Sequence, residues 1–357
     1  MSPNVMTTFE LCARCGRCLV SCPVFEVTKR ETLSPRGRLS LVEELSFGGL
    51  TQGAPFFTCL LCGACEDACP NKVPLLEAFC SARIRLSSWS RRSLARGANM
   101  LLASLDKGLD LLTKAHLREP SFTKRFSLPK KGEVSLFLGC GANFLYPSVT
   151  EILVRSLEAL GFSLGLPPDQ GCCGLVFLAL GDQKSFYALA RKNIEALRGE
   201  RPIITLCASC YFALKEIYPR LLKDKGLGEE ASLLAARVFE ATDFLLRSGA
   251  QWRASSQVCL HLPCHLRFAT GTKWWRLSPY PLIEHCCGQG GSFALFYPEL
   301  SQKIEKSWRC MLVERVDAPR ILLTNCTACF IRLKKSLPPP VEIRFPLEYL
   351  HISPKPL

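Results

Sequence analysis

Cys12, Cys15, Cys18 and Cys22, the last followed by Pro23, are spaced C-x2-C-x2-C-x3-C-P, and the run returns as Cys59, Cys62, Cys65 and Cys69 before Pro70. Eight thiolates in this double register suit two cubane [4Fe–4S] clusters. Three cysteines two residues apart wrap one face of a cube, and the fourth, turned away at the proline, ligates the other cluster. The spacing predicts one cluster on Cys12, Cys15, Cys18 and Cys69, and a second on Cys59, Cys62, Cys65 and Cys22. Crossed ligation of this kind ties two distant segments together and keeps the cubes close enough to exchange electrons. Two other chemistries fit less well. Zinc sites use C-x2-C pairs without a third cysteine in register. A disulfide framework sits badly with so many C-x-x-C pairs behind a start, Met1 to Glu10, that lacks the basic and apolar regions of an export signal.

A second cysteine pattern occupies the rest of the chain. Cys140, Cys172, Cys173, Cys207 and Cys210 follow C-x31-CC-x33-C-x2-C, and Cys264, Cys286, Cys287, Cys326 and Cys329 follow C-x21-CC-x38-C-x2-C. Adjacent cysteines bond poorly to each other because the ring is strained. A double cysteine before glycine suits a soft metal, since glycine lets the backbone turn tightly around it. Buried free thiols are common singly, but two matching sets of five are not. Five thiolates per set exceed what a simple zinc or cubane site uses, so clusters, zinc and no metal all stay open for these ten. Cys80, Cys259 and Cys310 have no partner spacing and are expected to be small buried hydrophobes. His261 and His265, flanking Pro263-Cys264, either tune or relay protons there or simply pack. Gly288-Gln289-Gly290-Gly291 lacks the full dinucleotide fingerprint, and its expected role is to bring backbone close to whatever Cys286 and Cys287 hold. There is no nucleophile elbow, P-loop or His-Glu-x-x-His; no catalytic residue is expected.

The elements that must position these thiols follow from periodicity. Residues 1–80 hold the two runs around a helical stretch, Gly37 to Phe47, with other helices short because clusters organise the region. Residues 81–131 read as a basic helical linker. Beyond it, strand, cysteine and helix alternate: Val134–Leu138 then Cys140, a helix near Val149–Leu160, Cys172-Cys173, a long helix near Val176–Leu197, and Ile203–Leu206 running into Cys207. The plan recurs with Val258–Leu262 before Cys264, a helix near Leu300–Val316, and Ile321–Thr324 before Cys326. The pattern predicts a parallel-stranded α/β region of two pseudo-repeated lobes, 132–250 and 251–357, with cysteines at the carboxyl ends of the strands.

The chain has 357 residues, 21 of them cysteine, and a net charge of +14. Twelve Lys or Arg against three acids between Arg83 and Lys131 give that segment +9. Such a surface can dock an acidic partner or an anionic bilayer face, or be a solvated helix face. No nucleic-acid-binding signature accompanies it, so no nucleic acid partner is expected. No window approaches a membrane span, and so many thiolates suit a reducing cytoplasm.

Taken in order, the run Cys12-Ala-Arg-Cys-Gly-Arg-Cys-Leu-Val-Ser-Cys-Pro23, then Ser34-Pro35-Arg36-Gly37-Arg38-Leu39, the second run, and two Cys-Cys-Gly lobes resemble the iron–sulfur subunit of glycolate oxidase. That family belongs with the glycerol-3-phosphate dehydrogenase C subunit and the heterodisulfide reductase D subunit. The resemblance spans most of the chain, and it is the combination of paired runs with two such lobes that is specific. It implies an α+β multidomain protein: an α-helical ferredoxin-like domain followed by an α/β CCG domain. It further implies an FAD-containing partner that oxidises a 2-hydroxy acid such as glycolate or D-lactate, with electrons leaving toward quinone at the cytoplasmic face of the inner membrane. The absence of a flavin or nicotinamide signature in this chain agrees with a separate flavoprotein. One departure keeps an alternative open. Several glycolate-oxidase-type subunits lack the first cysteine of the terminal C-x-x-C, whereas Cys207 and Cys326 are present here. Complete lobes resemble those of heterodisulfide reductases, which implies non-cubane [4Fe–4S] clusters and disulfide reduction.

Overall fold

Glycine and proline cut the N-terminal part into short helices around its cysteines. The computed structural model describes residues 9–46, 53–87, 121–315, 319–337 and 340–353, so most of the basic segment 83–131 lies outside the described residues. Helix α1 (Arg17–Val20) starts after left-handed Gly16, and α5 (Ala64–Asp67) after left-handed Gly63. The third cysteine of each run, Cys18 or Cys65, thus sits in the first turn of a helix entered at the same angle. Between them lie α2 (Pro23–Thr28), α3 (Pro35–Ser46) and α4 (Ala54–Phe57). In α2 the Cys22 sulfur accepts the Phe25 amide at 3.5 Å and Pro23 opens the first turn. After α5 comes α6 (Leu75–Leu86). The two 12-residue helices, α3 and α6, share one apolar cluster through Leu39, Val42 and Leu45 on one side and Leu75, Leu76 and Phe79 on the other.

The rest is mixed helix and parallel sheet, as expected. Strands β1 (Val134–Phe137), β2 (Leu164–Gly165), β3 (Ile203–Thr205) and β4 (Val238–Glu240) form one sheet in the order β2-β1-β3-β4. Its strands are parallel, with Val134 opposite Leu164, Leu136 opposite Ile204, and Ile204 opposite Phe239. After β5 (Gln251–Trp252) the plan repeats in β6 (Val258–His261), β7 (Leu282–Ile283), β8 (Ile321–Leu323) and β9 (Glu342–Arg344), ordered β7-β6-β8-β9 and again parallel. Central strands β1 and β6 are buried along their whole length, which explains why their sequences are mostly apolar, broken only by Ser135 and His261, rather than regularly alternating.

Two features depart from the sequence reading. The helix expected over 176–197 is two helices, Leu175–Leu180 and Gln183–Ala196. Gly181, at φ +77, ends the first, and the Asp182 side chain caps the second by accepting the Ser185 amide at 3.2 Å. Secondly, β10 (Leu350–His351) pairs antiparallel with β5, and Phe345, Leu347 and Leu350 are buried in the same cluster as Leu136, Leu153 and Leu157. The C-terminal segment therefore completes the core of the first sheet. Among the described residues, no helix is long and apolar enough to cross a membrane.

Candidate iron–sulfur centres

The structure gathers the N-terminal cysteines into two groups of four. Cys12, Cys15, Cys18 and Cys69 line one hollow, with Gly16, Arg36 and Pro70. Cys22, Cys59, Cys62 and Cys65 line another, with Arg38, Leu60 and Phe79. The outer hollow has Cys15 exposed, whereas Cys22, Cys59 and Cys65 of the inner one are buried. Burial pushes the Cys18 thiol up to about 11, with Cys12 and Cys69 adding to it. Burial also raises Cys65 and Cys62 well above the ordinary thiol value; at Cys62 the neighbouring Cys264 adds to the effect. Thiols held neutral by desolvation become ligands when a soft cation replaces their protons. Among the described residues no three or more His, Cys, Asp or Glu close on a single-ion position; these thiols stand around hollows.

Two buried arginines test the fit to an anionic cluster. Arg38 is 1% exposed and donates to the Pro55 carbonyl at 2.6 Å and to Thr58 Oγ1 at 3.2 Å. Arg83, 2% exposed, donates to the Phe56 carbonyl at 3.0 and 2.8 Å, to the Ala179 carbonyl at 3.0 Å, and to the Cys59 carbonyl. Neither has a carboxylate partner among the described residues. A buried cation without a counter-charge is costly. Burial raises the Cys22 thiol and lowers the Arg83 guanidinium, and the charges of Arg38 on the first and Cys59 on the second partly offset it. A net-negative thiolate-ligated cluster in the inner hollow supplies the missing charge, so the residues present fit it.

The ten remaining predicted cysteines sit at the carboxyl ends of β1, β3, β6 and β8 and in the double-cysteine loops. They form one continuous line rather than two separate sets. Cys140 Sγ lies 3.9 Å from Cys172 Sγ, and side-chain contacts continue through Cys173 and Cys210 to Cys207. Cys207 contacts Cys326 of the other lobe, Cys326 contacts Cys329, and Cys329 Sγ lies 3.1 Å from Cys287 Sγ. Cys286 then joins Cys287 to Cys264. Packed thiols share protons unequally. Contacts from Cys172 and Cys210 pull Cys173 down to about 5. Contacts from Cys210 and Cys326 lower Cys207, and those from Cys286 and Cys329 lower Cys287. Their partners Cys210 and Cys329 are raised in return.

The line meets the inner hollow at His265. Its Nε2 lies 3.3 Å from the Leu61 carbonyl, which only accepts, so the proton is assigned to Nε2 and Nδ1 accepts from Ser209 Oγ at 2.9 Å. The same hydroxyl is 3.2 Å from Cys326 Sγ, and the imidazole stacks on Phe212 with centroids 4.7 Å apart. His261 by contrast is a satisfied core histidine, held by Thr324 Oγ1 and the His285 carbonyl, each at 3.1 Å. Gly290 approaches Leu60 of the Cys59–Cys62 loop, and Gly288 faces the Ser301 carbonyl. The glycine run thus seats the second lobe on the N-terminal loop as well as shaping the turn after Cys287. Cys80 and Cys259 are buried, each pushed up to about 12 by desolvation, but Cys310 is exposed, contrary to expectation. At the far end of the line, Cys140 and Cys172 open onto a cleft of 640 Å³ lined also by Thr123, Asn143, Pro167 and Lys192.

Sequence reasoning missed Arg38, Arg83 and Ser209. A signal existed for the arginines: Arg38 precedes Leu39 and stands four residues before Val42, and Arg83 stands four after Phe79, each inside an apolar helical stripe.

Residues 8–73 match the 4Fe-4S dicluster domain, and residues 134–215 and 277–334 match the cysteine-rich domain designated CCG. The chain joins these two parts, and its role is electron transfer through [4Fe–4S] clusters. It is similar to the glycolate oxidase iron-sulfur subunit of Escherichia coli, 25% identical over 82% of each chain. It is also similar to one of the subunits of the fumarate reductase (CoM/CoB) of Methanothermobacter marburgensis, 25% identical over 91% of this chain and 68% of that one. Lactate utilization protein A of Bacillus licheniformis is 26% identical over 62% of this chain and 97% of its own length.

Proposed function

We propose that this chain is the iron–sulfur subunit of an FAD-dependent 2-hydroxy acid dehydrogenase acting on glycolate or D-lactate, passing electrons toward a quinone. In this reading Cys12, Cys15, Cys18 and Cys69 hold one cubane, and Cys22, Cys59, Cys62 and Cys65 hold the other. The ten lobe cysteines form the ligand set for one or two further clusters. Bound clusters supply reversible one-electron storage. The chain's own residues hold the thiolates, exclude water and supply buried positive charge. The grouping of the eight cysteines into two crossed hollows, joined near Cys62 and Cys264 to the line of ten, carries the reading. The names of the glycolate oxidase and lactate utilization relatives support a dehydrogenase partner. Residues 1–80, 81–131, 132–250 and 251–357 are the proposed divisions. The basic segment 83–131, apart from the buried Arg83, is the proposed contact with an anionic bilayer on the cytoplasmic face.

The test is anaerobic. Purified protein should carry about eight or more irons per chain and give paramagnetic signals after dithionite. With its FAD-containing dehydrogenase partner added, glycolate or D-lactate should bleach its visible absorption. An intact cluster complement that neither substrate bleaches in that pair would refute the dehydrogenase assignment.

A second reading, disulfide reduction at the lobes, draws on the cleft that reaches Cys140 and Cys172. It requires Cys172→Ala and Cys286→Ala to abolish reduction of a small disulfide while the N-terminal signals persist. Activity retained in both variants excludes it.

A further inference from the structure

We propose that the surface around Cys15 is the docking face for an electron-donating protein with an acidic rim, and that electrons taken up there run inward toward Cys62 and the second lobe. This rests on the electron-transfer reading above and adds where the donor sits and which way charge moves. In the N-terminal part, Cys15 is the exposed ligand candidate, so the outer hollow is where the relay comes nearest to solvent. Helix α1 beside it buries none of its residues; Val20 is 90% exposed and Leu11 46%. Arg14 and Arg17 flank Cys15, both exposed and without an ion pair among the described residues. The next cation, Arg36, donates to the Arg14 carbonyl at 3.1 Å and is neutralised by Glu31 at 2.8 Å. Exposed apolar side chains beside two unneutralised guanidinium groups fit a partner whose carboxylates surround an apolar centre.

The direction follows from the buried arginines. Arg38 lines the inner hollow and Arg83 binds the Cys59 carbonyl beside it, both buried and without carboxylates among the described residues, whereas at the outer hollow Arg14 and Arg17 are exposed to water and Arg36 is half-buried and paired with Glu31. An added electron is stabilised more by a buried, unneutralised cation than by one screened by water or by a paired carboxylate. The inner centre therefore has the higher potential, and the protein that docks at Cys15 is the donor rather than the acceptor. A donor carrying a reduced flavin gives up two electrons in two one-electron transfers, and its two protons pass to water.

The test uses the full cluster-loaded chain and flavodoxin hydroquinone, an acidic flavoprotein reductant, in stopped flow, with dithionite as the small-molecule control. The rate with flavodoxin should fall about tenfold or more between low and about 0.5 M salt. Arg14→Glu with Arg17→Glu should slow it about tenfold or more at low salt, with both paramagnetic signals and the dithionite reaction unchanged. Val20→Glu, which keeps both arginines, should slow it as well. Rates indifferent to salt and to all three substitutions, in a chain with both signals, overturn the docking face. So does failure of flavodoxin to reduce a chain that dithionite reduces. One electron equivalent should appear first in the inner centre, the signal not altered by Cys15→Ser; first appearance in the outer one reverses the direction. A chain with no signal at all removes the electron-transfer reading and this face with it.

Discussion

Replacing Arg83 by methionine separates the electrostatic role of a buried cation from its packing role. Methionine keeps the apolar stem of a side chain that is 2% exposed but removes the guanidinium that binds the carbonyls of Phe56, Cys59 and Ala179. A unit charge about 8 Å from a redox centre, at an effective dielectric constant of about 20, contributes about 2 kcal/mol. For a one-electron couple that is on the order of 90 mV. The charge favours the more negative, reduced form, so its removal must lower the potential of the inner centre. The outer centre, separated from Arg83 by the inner one and bordered by solvent, should shift far less. The assay is a redox titration followed by paramagnetic resonance, with Cys15→Ser marking the outer signal. Arg83→Lys keeps the charge and should retain most of the potential while losing the forked contacts to the three carbonyls. Equal shifts at both centres, or no shift in Arg83→Met with both signals intact, would refute the argument that this cation balances the inner centre.

Gly181→Ala should destabilise the protein by about 2 kcal/mol or more, measured by denaturant unfolding. Its φ is +77 and the added Cβ would lie 2.5 Å from the Arg83 carbonyl oxygen; an unchanged midpoint would mean that this close approach is absent. Glu240 is fully buried, and desolvation raises its carboxyl from 4.5 to about 7, partly offset by the Asp243 amide at 3.1 Å. The folded state then binds the proton more tightly than the unfolded one. Its contribution is fully present below about 4.5 and is lost as pH rises through about 7, a change of about 3 kcal/mol. Glu240→Gln should flatten that part of the stability–pH curve relative to wild type, and parallel curves would disprove it. Cleavage at a protease site placed in the exposed loop 253–257 should leave the two pieces associated in gel filtration under native conditions. The C-terminal piece carries Phe345, Leu347 and Leu350, each worth about 1.5–3 kcal/mol of burial, into the first lobe's core; dissociation without denaturant would contradict that packing.

Much of the fold was legible because its strands are apolar runs ending in cysteine. Val134–Phe137, Ile203–Thr205, Val258–His261 and Ile321–Leu323 lie within a residue of their expected ends. The edge strands were not legible. Leu164–Gly165 and Leu282–Ile283 are two residues long and held by ladders to β1 and β6, so tertiary pairing and no local period defines them. The break at Gly181 was missed because Leu175 to Ala196 continues a helical apolar pattern on both sides of it. The helical setting of Cys310 suggests burial, but the residue falls on the solvent face of the helix Pro298–Arg315 while Ile304 and Trp308 face the core. The crossed grouping of the N-terminal cysteines was readable from spacing alone. The joining of the two lobe sets into one line was not, because spacing within each lobe says nothing about how the lobes face each other.

That facing has a physical consequence. In a parallel sheet the reactive position is the crevice beyond the strand carboxyl ends. Here the two sheets cover each other's crevices at their centres, where Cys207, beyond β3, contacts Cys326, beyond β8, and the Ala208 amide donates to the Asn325 carbonyl at 2.9 Å, while the β1 end stays open at the cleft beside Cys140 and Cys172. Ser209 of the first lobe and His265 of the second meet over Cys326 and reach the Leu61 carbonyl of the N-terminal part. Three segments distant in sequence thus share one half-buried hydrogen-bonded knot at the point where the inner hollow adjoins the thiol line. Arg220 reinforces the arrangement from outside, bridging Glu66 of α5 at 2.7 Å and Glu216 at 3.0 Å. A hydrogen bond to a ligating sulfur raises the potential of the centre it serves, and a rigid sulfur–sulfur spacing fixes the distance over which an electron must pass. Both quantities depend on the lobes and the N-terminal part holding one relative position. The Ala208–Asn325 and Ser209–His265 contacts between the lobes, the crossing C-terminal segment and the buried arginine linking Phe56 to Ala179 therefore act on the same property, the geometry of the relay, although none of these residues is a proposed ligand.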